Sequence, residues 1–140
     1  MQDQLKKMTE ADIREMNDLA FAAFNAREWD NLLALVHPEC ILEVGSHARR
    51  TGSTGAREII AYYEQFYEMR FVSYRHFVSG HRTSTEAMMR VRYVATEPGL
   101  PKARGQVCDV PFACFGEVRG GRYTRIRMIF SFVEWINIVS

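Results

Sequence analysis

The first quarter of the chain carries a helical repeat of apolar residues. Between residues 9 and 35 the apolar positions recur at steps of three and four, and Thr9 and Asp12 have the spacing of a capping box. The segment 25–28 interrupts the repeat, and His37-Pro38 ends it. The pattern therefore predicts a long helix followed by a short one.

The next segments predict a strand, a loop and a third helix. Residues 40–44 form a short apolar run typical of a strand, and residues 45–55 contain three glycines, which favours a loop. From residue 56 to residue 69 the apolar side chains Ile59, Ile60, Tyr63 and Phe66 share one helical face. A third helix is expected there.

The remainder of the chain has the composition of strands. Segments 71–79, 87–96, 107–118 and 123–136 are rich in β-branched and aromatic residues, and Arg119-Gly-Gly is typical of a tight hairpin turn. Helices followed by a run of antiparallel strands indicate the α+β class rather than a βαβ order. The length of 140 residues favours a single domain, 1–140.

The two-residue period of the strands assigns their faces, since one face of a curved sheet must cover the helices. Arg90 and Arg92 are expected to face outward, which turns Met89, Val91, Tyr93 and Ala95 inward. Arg125 and Arg127 are likewise expected to face outward, which places Ile126, Met128 and Phe130 inside. Around Arg75 it places Val72, Tyr74, His76 and Val78 inside.

The charge balance excludes several classes of partner. With 18 Lys and Arg against 17 Asp and Glu, the net charge of +1 provides no field for nucleic acid or an anionic membrane. The polar N-terminal segment and the absence of long apolar runs predict a cytoplasmic protein without membrane contact. Three cysteines without C-x-x-C spacing predict reduced thiols, and four scattered histidines predict no metal site.

Three segments resemble SnoaL-like domains of the nuclear transport factor 2-like superfamily. They begin at Phe24 (Phe-Asn-Ala-Arg-Glu-Trp), at Gly55 (Gly-Ala-Arg-Glu-Ile-Ile-Ala-Tyr-Tyr) and at Phe115 (Phe-Gly-Glu-Val-Arg-Gly-Gly). The resemblance implies a cone-shaped α+β barrel, in which N-terminal helices pack on a strongly curved, mixed and mostly antiparallel sheet. It also implies one cavity for a small molecule, without a cofactor.

The enzymes of this superfamily can be compared with the chain residue by residue. The tyrosine of a ketosteroid isomerase falls on Ala20, its base aspartate at or beside Val44 and its protonated aspartate on Cys114, so that apparatus is absent. A limonene epoxide hydrolase needs aspartates where Arg92 and Met128 stand. A scytalone dehydratase matches better at one point, because one of its catalytic histidines falls on His76.

Three residues are candidates for proton transfer. An imidazole at His76, inside an apolar cone, could exchange a proton near neutral pH, although a structural histidine is an equal alternative. Tyr63 matches a tyrosine of the steroid isomerase hydrogen-bond network, but it could simply shape the cavity. Asp109 faces outward by strict alternation and inward if Pro111 marks a bulge, and both orientations stay open.

The expected ligand is a small apolar or polyketide-like molecule, held by the inward side chains of the cone. The expected substrate-binding residues are Phe24, Tyr74, Met89, Val91, Tyr93, Phe112, Cys114, Met128 and Phe130. The expected function is a cofactor-independent cyclisation, isomerisation, dehydration or epoxide opening, and the alternative is a binding module without chemistry. Outward apolar residues at Met88, Val94, Phe115 and Ile129 predict a homodimer.

Overall fold

The structure, a computed structural model, describes residues 8–45 and 48–140, without the side chains of residues 132, 133, 138 and 139. Four helices and six strands follow one another within these described residues. In order they are α1 (Glu10–Ala26), α2 (Trp29–Leu33), β1 (Val36–Val44), β2 (Ala48–Thr51), α3 (Gly52–Glu64), β3 (Tyr67–Ser79), β4 (Arg82–Tyr93), β5 (Val107–Arg119), β6 (Arg122–Phe130) and α4 (Phe132–Val139).

Helix α1 begins and ends as its sequence predicts. The Thr9 hydroxyl accepts a hydrogen bond from the Asp12 amide, and the Asp12 carboxylate accepts one from the Thr9 amide, which completes the capping box. At the other end Arg27 adopts a left-handed conformation, and its backbone amide donates hydrogen bonds to carbonyl groups of the last turn. The apolar face of α1, from Ile13 to Ala23, lies against the sheet.

The six strands form one open sheet with the order β2-β1-β6-β5-β4-β3. Strands β1 and β6 are parallel, and the other neighbours are antiparallel. The sheet covers α1 and α3 on one face, so the mixed, mostly antiparallel α+β cone expected from the resemblance is confirmed.

Several boundaries differ from the sequence prediction. Strand β1 starts at Val36, so His37-Pro38 opens a strand instead of only ending a helix, and the predicted loop 45–55 contains β2 and the start of α3. Strand β6 ends at Phe130, and the expected strand to residue 136 is wrong. Ser131 accepts a hydrogen bond from the Glu134 amide and caps helix α4 there.

A bulge in β3 changes which residues face the helices. Phe71 pairs with Met89 and Ser73 pairs with Met88, so Val72 is the extra residue. Phe71 is consequently buried, whereas the expectation that Val72 faces inward is wrong because its side chain is exposed. After the bulge His76 lies opposite Thr85, on the inner face, as alternation predicts. Ala95, also expected inside, is exposed because β4 ends at Tyr93.

Candidate functional site

A cavity of ≈ 180 Å³ lies between the inner face of the sheet and helices α1 and α3. Buried apolar residues of the helices and the sheet form its wall, and Trp135 of α4 packs at one end against Tyr63 and Phe130. Six of the expected substrate-binding residues line it: Phe24, Met89, Phe112, Cys114, Met128 and Phe130. The cavity is therefore the site at which the chain can enclose a small molecule.

The wall of this cavity is apolar and uncharged. Among the described residues that line it there is no Asp, Glu, His, Lys or Arg. The polar side chains in the wall are Asn17, Tyr63, Thr83, Thr85, Cys114, Tyr123 and Trp135. A ligand that enters must be largely neutral, because an unpaired charge would lose its hydration here.

Asn17, Thr83 and Tyr123 form a buried hydrogen-bonded group, called the Asn17 cluster below. The Tyr123 hydroxyl donates to Asn17 Oδ1 at 2.6 Å, and Asn17 Nδ2 donates to Thr83 Oγ1 at 2.6 Å. Burial raises the pKa of the Tyr123 phenol, so the phenol stays protonated and continues to donate. The cluster fixes three polar side chains in the cavity wall.

Gly116 provides the space that this cluster needs. It lies opposite Thr83 in the β4–β5 ladder. A Cβ at this position would lie 3.1 Å from Thr83 Cγ2 and 3.5 Å from Tyr123 Cδ1. The absent side chain therefore allows the threonine and the tyrosine to pack side by side.

His76 lies behind the cavity wall, and Thr85 connects the two. The imidazole Nδ1 is 2.7 Å from Thr85 Oγ1, and Thr85 lines the cavity. His76 itself does not line it, because Phe21 packs edge-on against the ring at 5.1 Å. His76 therefore lies inside the cone, as predicted, but it is linked to the cavity wall only through its contact with Thr85.

The other nitrogen of His76 faces a carboxylate. Nε2 lies 3.1 Å from Asp18 Oδ1 in an ion-pair contact, and it makes no hydrogen bond to a described residue. The imidazole is 4% exposed and the Asp18 side chain is 61% exposed. Burial lowers the pKa of His76, and the Asp18 carboxylate opposes that shift. The ring is therefore neutral at pH 7, with a charged partner at its solvent side.

Asp109 lies outside the cone, so its predicted catalytic role is wrong. The β4–β5 register is continuous through Pro111, so no bulge reverses the alternation. The Asp109 carboxylate accepts hydrogen bonds from Arg90 Nε at 2.9 Å and Arg90 Nη2 at 3.2 Å. These bonds lower the pKa of Asp109, which stays ionised on the outer face.

Tyr63 and Cys114 also line the cavity. The Tyr63 hydroxyl has no hydrogen-bond partner among the described residues, and burial together with the Glu97 charge raises its pKa. Burial raises the pKa of the Cys114 thiol to about 12. Both groups are protonated at neutral pH, so Tyr63 can donate a hydrogen bond and Cys114 is an unreactive wall residue.

Three expected substrate-binding residues are absent from the cavity wall. Val91 is buried in the core beyond it, and Tyr74 lies at the sheet surface, partly packed on Phe21. The Tyr93 hydroxyl donates to the Pro101 carbonyl at 2.7 Å and accepts from the Glu97 amide at 2.8 Å. Alternation identified the inner face, but it does not show which inward residues meet empty space.

Four residues of this site were not predicted from the sequence: Asn17, Asp18, Thr83 and Thr85. Asn17 lies on the apolar face of α1 one residue after Met16, and a polar residue there was the available signal. Thr83 and Thr85 precede the predicted start of β4, although they continue its inward alternation with Met89.

In the described part of the chain, no helix is long and apolar enough to cross a membrane.

Fold and site together define a small α+β cone with an uncharged ligand cavity. The SnoaL-like domain matches residues 18–126, and the chain belongs to this family. No protein with a curated description matches the chain.

Solved structures show the same fold. The "putative polyketide cyclase" of Xanthomonas campestris pv. campestris is 26% identical, covers 90% of this chain and 95% of its own, and has a TM-score of 0.87. A protein of the same description from Silicibacter sp. TM1040 is 29% identical, with 89% and 95% covered and a TM-score of 0.83. TerC, crystallised with polyporic acid, is 22% identical, with 89% and 95% covered and a TM-score of 0.74.

Proposed function

We propose that this protein is an enzyme that moves a proton on a neutral, polyketide- or terpenoid-like molecule held in the cavity, without a cofactor. The observation that carries the proposal is the chain of contacts from Asp18 through His76 to Thr85, which is a residue of the cavity wall. A carboxylate, an imidazole and a hydroxyl in this order make a base that acts through the hydroxyl, and the three residues are called the relay below.

The proton has a defined route. The Asp18 carboxylate favours the tautomer with its proton on Nε2, so Nδ1 accepts a hydrogen bond from Thr85. When Thr85 Oγ1 takes a proton from the ligand, its own proton passes to His76 Nδ1. The resulting imidazolium is stabilised by Asp18, and reversal of the two transfers returns a proton to another atom of the ligand. No oxidant, reductant or metal takes part.

The cavity supports this chemistry by excluding water and orienting the ligand. Cyclisation, isomerisation and dehydration of ketones share one step, the removal of a proton next to a carbonyl group. Epoxide opening would instead use the protonated relay as an acid. The similarity to proteins named as polyketide cyclases and to a protein crystallised with polyporic acid supports a polyketide-like ligand.

Hydrogen exchange on a simple ketone tests the proposal. 2-Tetralone, a neutral bicyclic ketone, is incubated with the protein in deuterated buffer, and NMR follows loss of the hydrogens next to the carbonyl. The wild-type protein is expected to accelerate exchange over buffer. His76→Gln and Thr85→Val are expected to reduce the catalysed rate by about a hundredfold or more, because a positioned base contributes about a hundred- to ten-thousandfold.

Asp109→Asn is the matched control, because it removes a carboxylate from the outer face and leaves the relay intact. Its exchange rate should equal that of the wild type. Unchanged exchange in His76→Gln would end the proposal that this histidine moves the proton. Exchange by the wild-type protein no faster than in buffer would likewise contradict it.

The uncharged wall favours a second candidate, a binding module that carries a small molecule without changing it. A carrier needs apolar walls and a polar anchor, and the cavity has both. The same experiment separates the two functions. A carrier binds 2-tetralone and leaves its hydrogen exchange at the buffer rate.

A further inference from the structure

The Asn17 cluster contains one hydroxyl hydrogen that the fold does not use. The Tyr123 hydroxyl donates its hydrogen to Asn17 Oδ1, and Asn17 Nδ2 donates one of its hydrogens to Thr83 Oγ1. Thr83 is the acceptor in that bond, so its own hydrogen is still available. It has no acceptor among the described residues, and Thr83 is buried, with 8% of the residue exposed.

The residue that carries this hydrogen belongs to the cavity wall. Thr83 is on the inner face of β4, and its side chain lines the cavity. The Thr83 methyl group lies on the side of Gly116, and its oxygen is held by Asn17. A buried donor without an acceptor is costly, so the site favours a ligand that supplies one.

We propose that Thr83 is the hydrogen-bond donor that recognises a carbonyl oxygen of the ligand, and that Asn17 and Tyr123 are the residues that position it. This inference rests on the proposed function in placing the ligand in the cavity, and it deepens that function by naming the ligand class. The ligand is a neutral molecule with an apolar skeleton and a ketone oxygen.

The spacing along β4 gives the ketone an orientation. Thr83 and Thr85 are two residues apart on one face, which places their side chains about 7 Å apart in a strand. A ketone oxygen and the carbon next to its carbonyl are separated by only two bonds. One ketone can therefore accept a hydrogen bond of about 2.8 Å from Thr83 while the neighbouring C–H lies about 3–3.5 Å from Thr85.

Binding of two probes of similar shape tests the inference. 2-Tetralone carries the ketone, and tetralin is the hydrocarbon without it. Titration calorimetry measures both against the wild type, Thr83→Val and Thr83→Ser. Valine keeps the shape of threonine and removes its hydroxyl, whereas serine keeps the hydroxyl.

Thr83→Val is expected to weaken 2-tetralone binding by about five- to tenfold, the value of one net hydrogen bond, and to leave tetralin binding unchanged. Thr83→Ser should bind 2-tetralone within about twofold of the wild type. Equal weakening of both probes in Thr83→Val, unchanged ketone binding in that variant, or no ketone binding by the wild type would overturn the inference.

Infrared spectroscopy of bound 2-tetralone provides a readout that needs no variant. A donated hydrogen bond lowers the frequency of the carbonyl stretch, so the bound ketone should absorb below its frequency in an apolar solvent. An unshifted band overturns the inference even if Thr83→Val does not fold. Because both measurements report binding, the inference can hold while hydrogen exchange fails, and the two proposals remain separable.

Discussion

Replacing Asn17 with leucine removes the centre of the Asn17 cluster. The Asn17 side chain is 2% exposed and takes part in two hydrogen bonds of 2.6 Å, one with Thr83 and one with Tyr123. Leucine has a similar volume and no polar atoms. The substitution therefore leaves the hydroxyls of Thr83 and Tyr123 buried without this partner, while the packing of α1 against the sheet changes little.

The size of the effect follows from the two orphaned hydroxyls. A buried polar group that loses its partner costs about 1–3 kcal/mol, so two of them give a range of about 2–6 kcal/mol. The middle of this range, about 4 kcal/mol, is the expected loss, because Thr83 and Tyr123 are both buried. A domain of this size unfolds with about 5–15 kcal/mol, so the loss is large enough to measure.

Urea unfolding of a double-mutant cycle measures this effect and assigns it to the cluster. The variants are Asn17→Leu, Tyr123→Phe and the combination of both. In the combination the phenol hydroxyl is absent, so leucine at position 17 no longer orphans it. The double variant should therefore be less destabilised than the sum of the single variants by about 0.5–3 kcal/mol. Asn31→Leu, at an exposed site, is the matched control and should change stability by less than about 0.5 kcal/mol.

Two results would refute this reasoning. An Asn17→Leu protein as stable as the Asn31→Leu control would mean that the buried amide contributes no net stabilisation. Additive effects of Asn17→Leu and Tyr123→Phe would mean that the two side chains do not act through their hydrogen bond.

Three further predictions concern other parts of the molecule. Burial lowers the pKa of His76, so the unfolded chain binds a proton at this residue first, and the free energy of unfolding should fall as the pH drops below about 6.5. Urea unfolding across pH should show a weaker dependence of this free energy on pH in His76→Gln, and an equal dependence would contradict the prediction. Gly116→Ala should lower the free energy of unfolding by about 1–3 kcal/mol in the same assay, because its Cβ would lie 3.1 Å from Thr83 Cγ2. A variant as stable as the wild type would mean that the threonine moves freely. The exposed side chains of Val94, Phe115 and Ile129 support the homodimer predicted from the sequence, so light scattering should give twice the mass of one chain. The Phe115→Glu variant should have the mass of a single chain, and a monomeric wild type would contradict the prediction.

The elements that the sequence predicts well are those with a strong, uninterrupted period. Helix α1 has an apolar stripe and a complete capping box, and both lie within a few residues of one another. In β4 the charged Arg90 and Arg92 leave only one assignment of faces, and Met89, Val91 and Tyr93 are buried as expected. Interactions between residues close together in the sequence determine these elements, so the local pattern was sufficient to predict them.

The elements that the sequence did not predict depend on distant contacts or on one conformational choice. Strand β2 is four residues long and consists of Ala48–Thr51, with little apolar period of its own, and it forms by pairing with β1. The bulge at Val72 is one extra residue in a strand whose composition gives no sign of it. The same limit applies to Asp109, because its orientation depended on whether Pro111 interrupts β5.

The site illustrates a further limit, which concerns polar residues that act in pairs. His76 was found because an imidazole on an inward position is unusual, but its partners are a threonine nine residues away and an aspartate on another element. Asn17 and Tyr123 are 106 positions apart and share no local signal. Such groups become visible only when the fold brings α1 and the sheet together.

The arrangement around His76 has a physical advantage over a base placed inside the cavity. A charged imidazolium surrounded by the apolar wall would lose hydration without a counter-charge, and this would disfavour accepting a proton. With Thr85 between the ring and the cavity, the proton leaves the ligand through a neutral hydroxyl. The positive charge then forms 3.1 Å from Asp18, whose side chain is 61% exposed and stays hydrated. An uncharged wall and a proton-transfer function are therefore compatible, because the relay keeps the charge outside the cavity that binds the ligand.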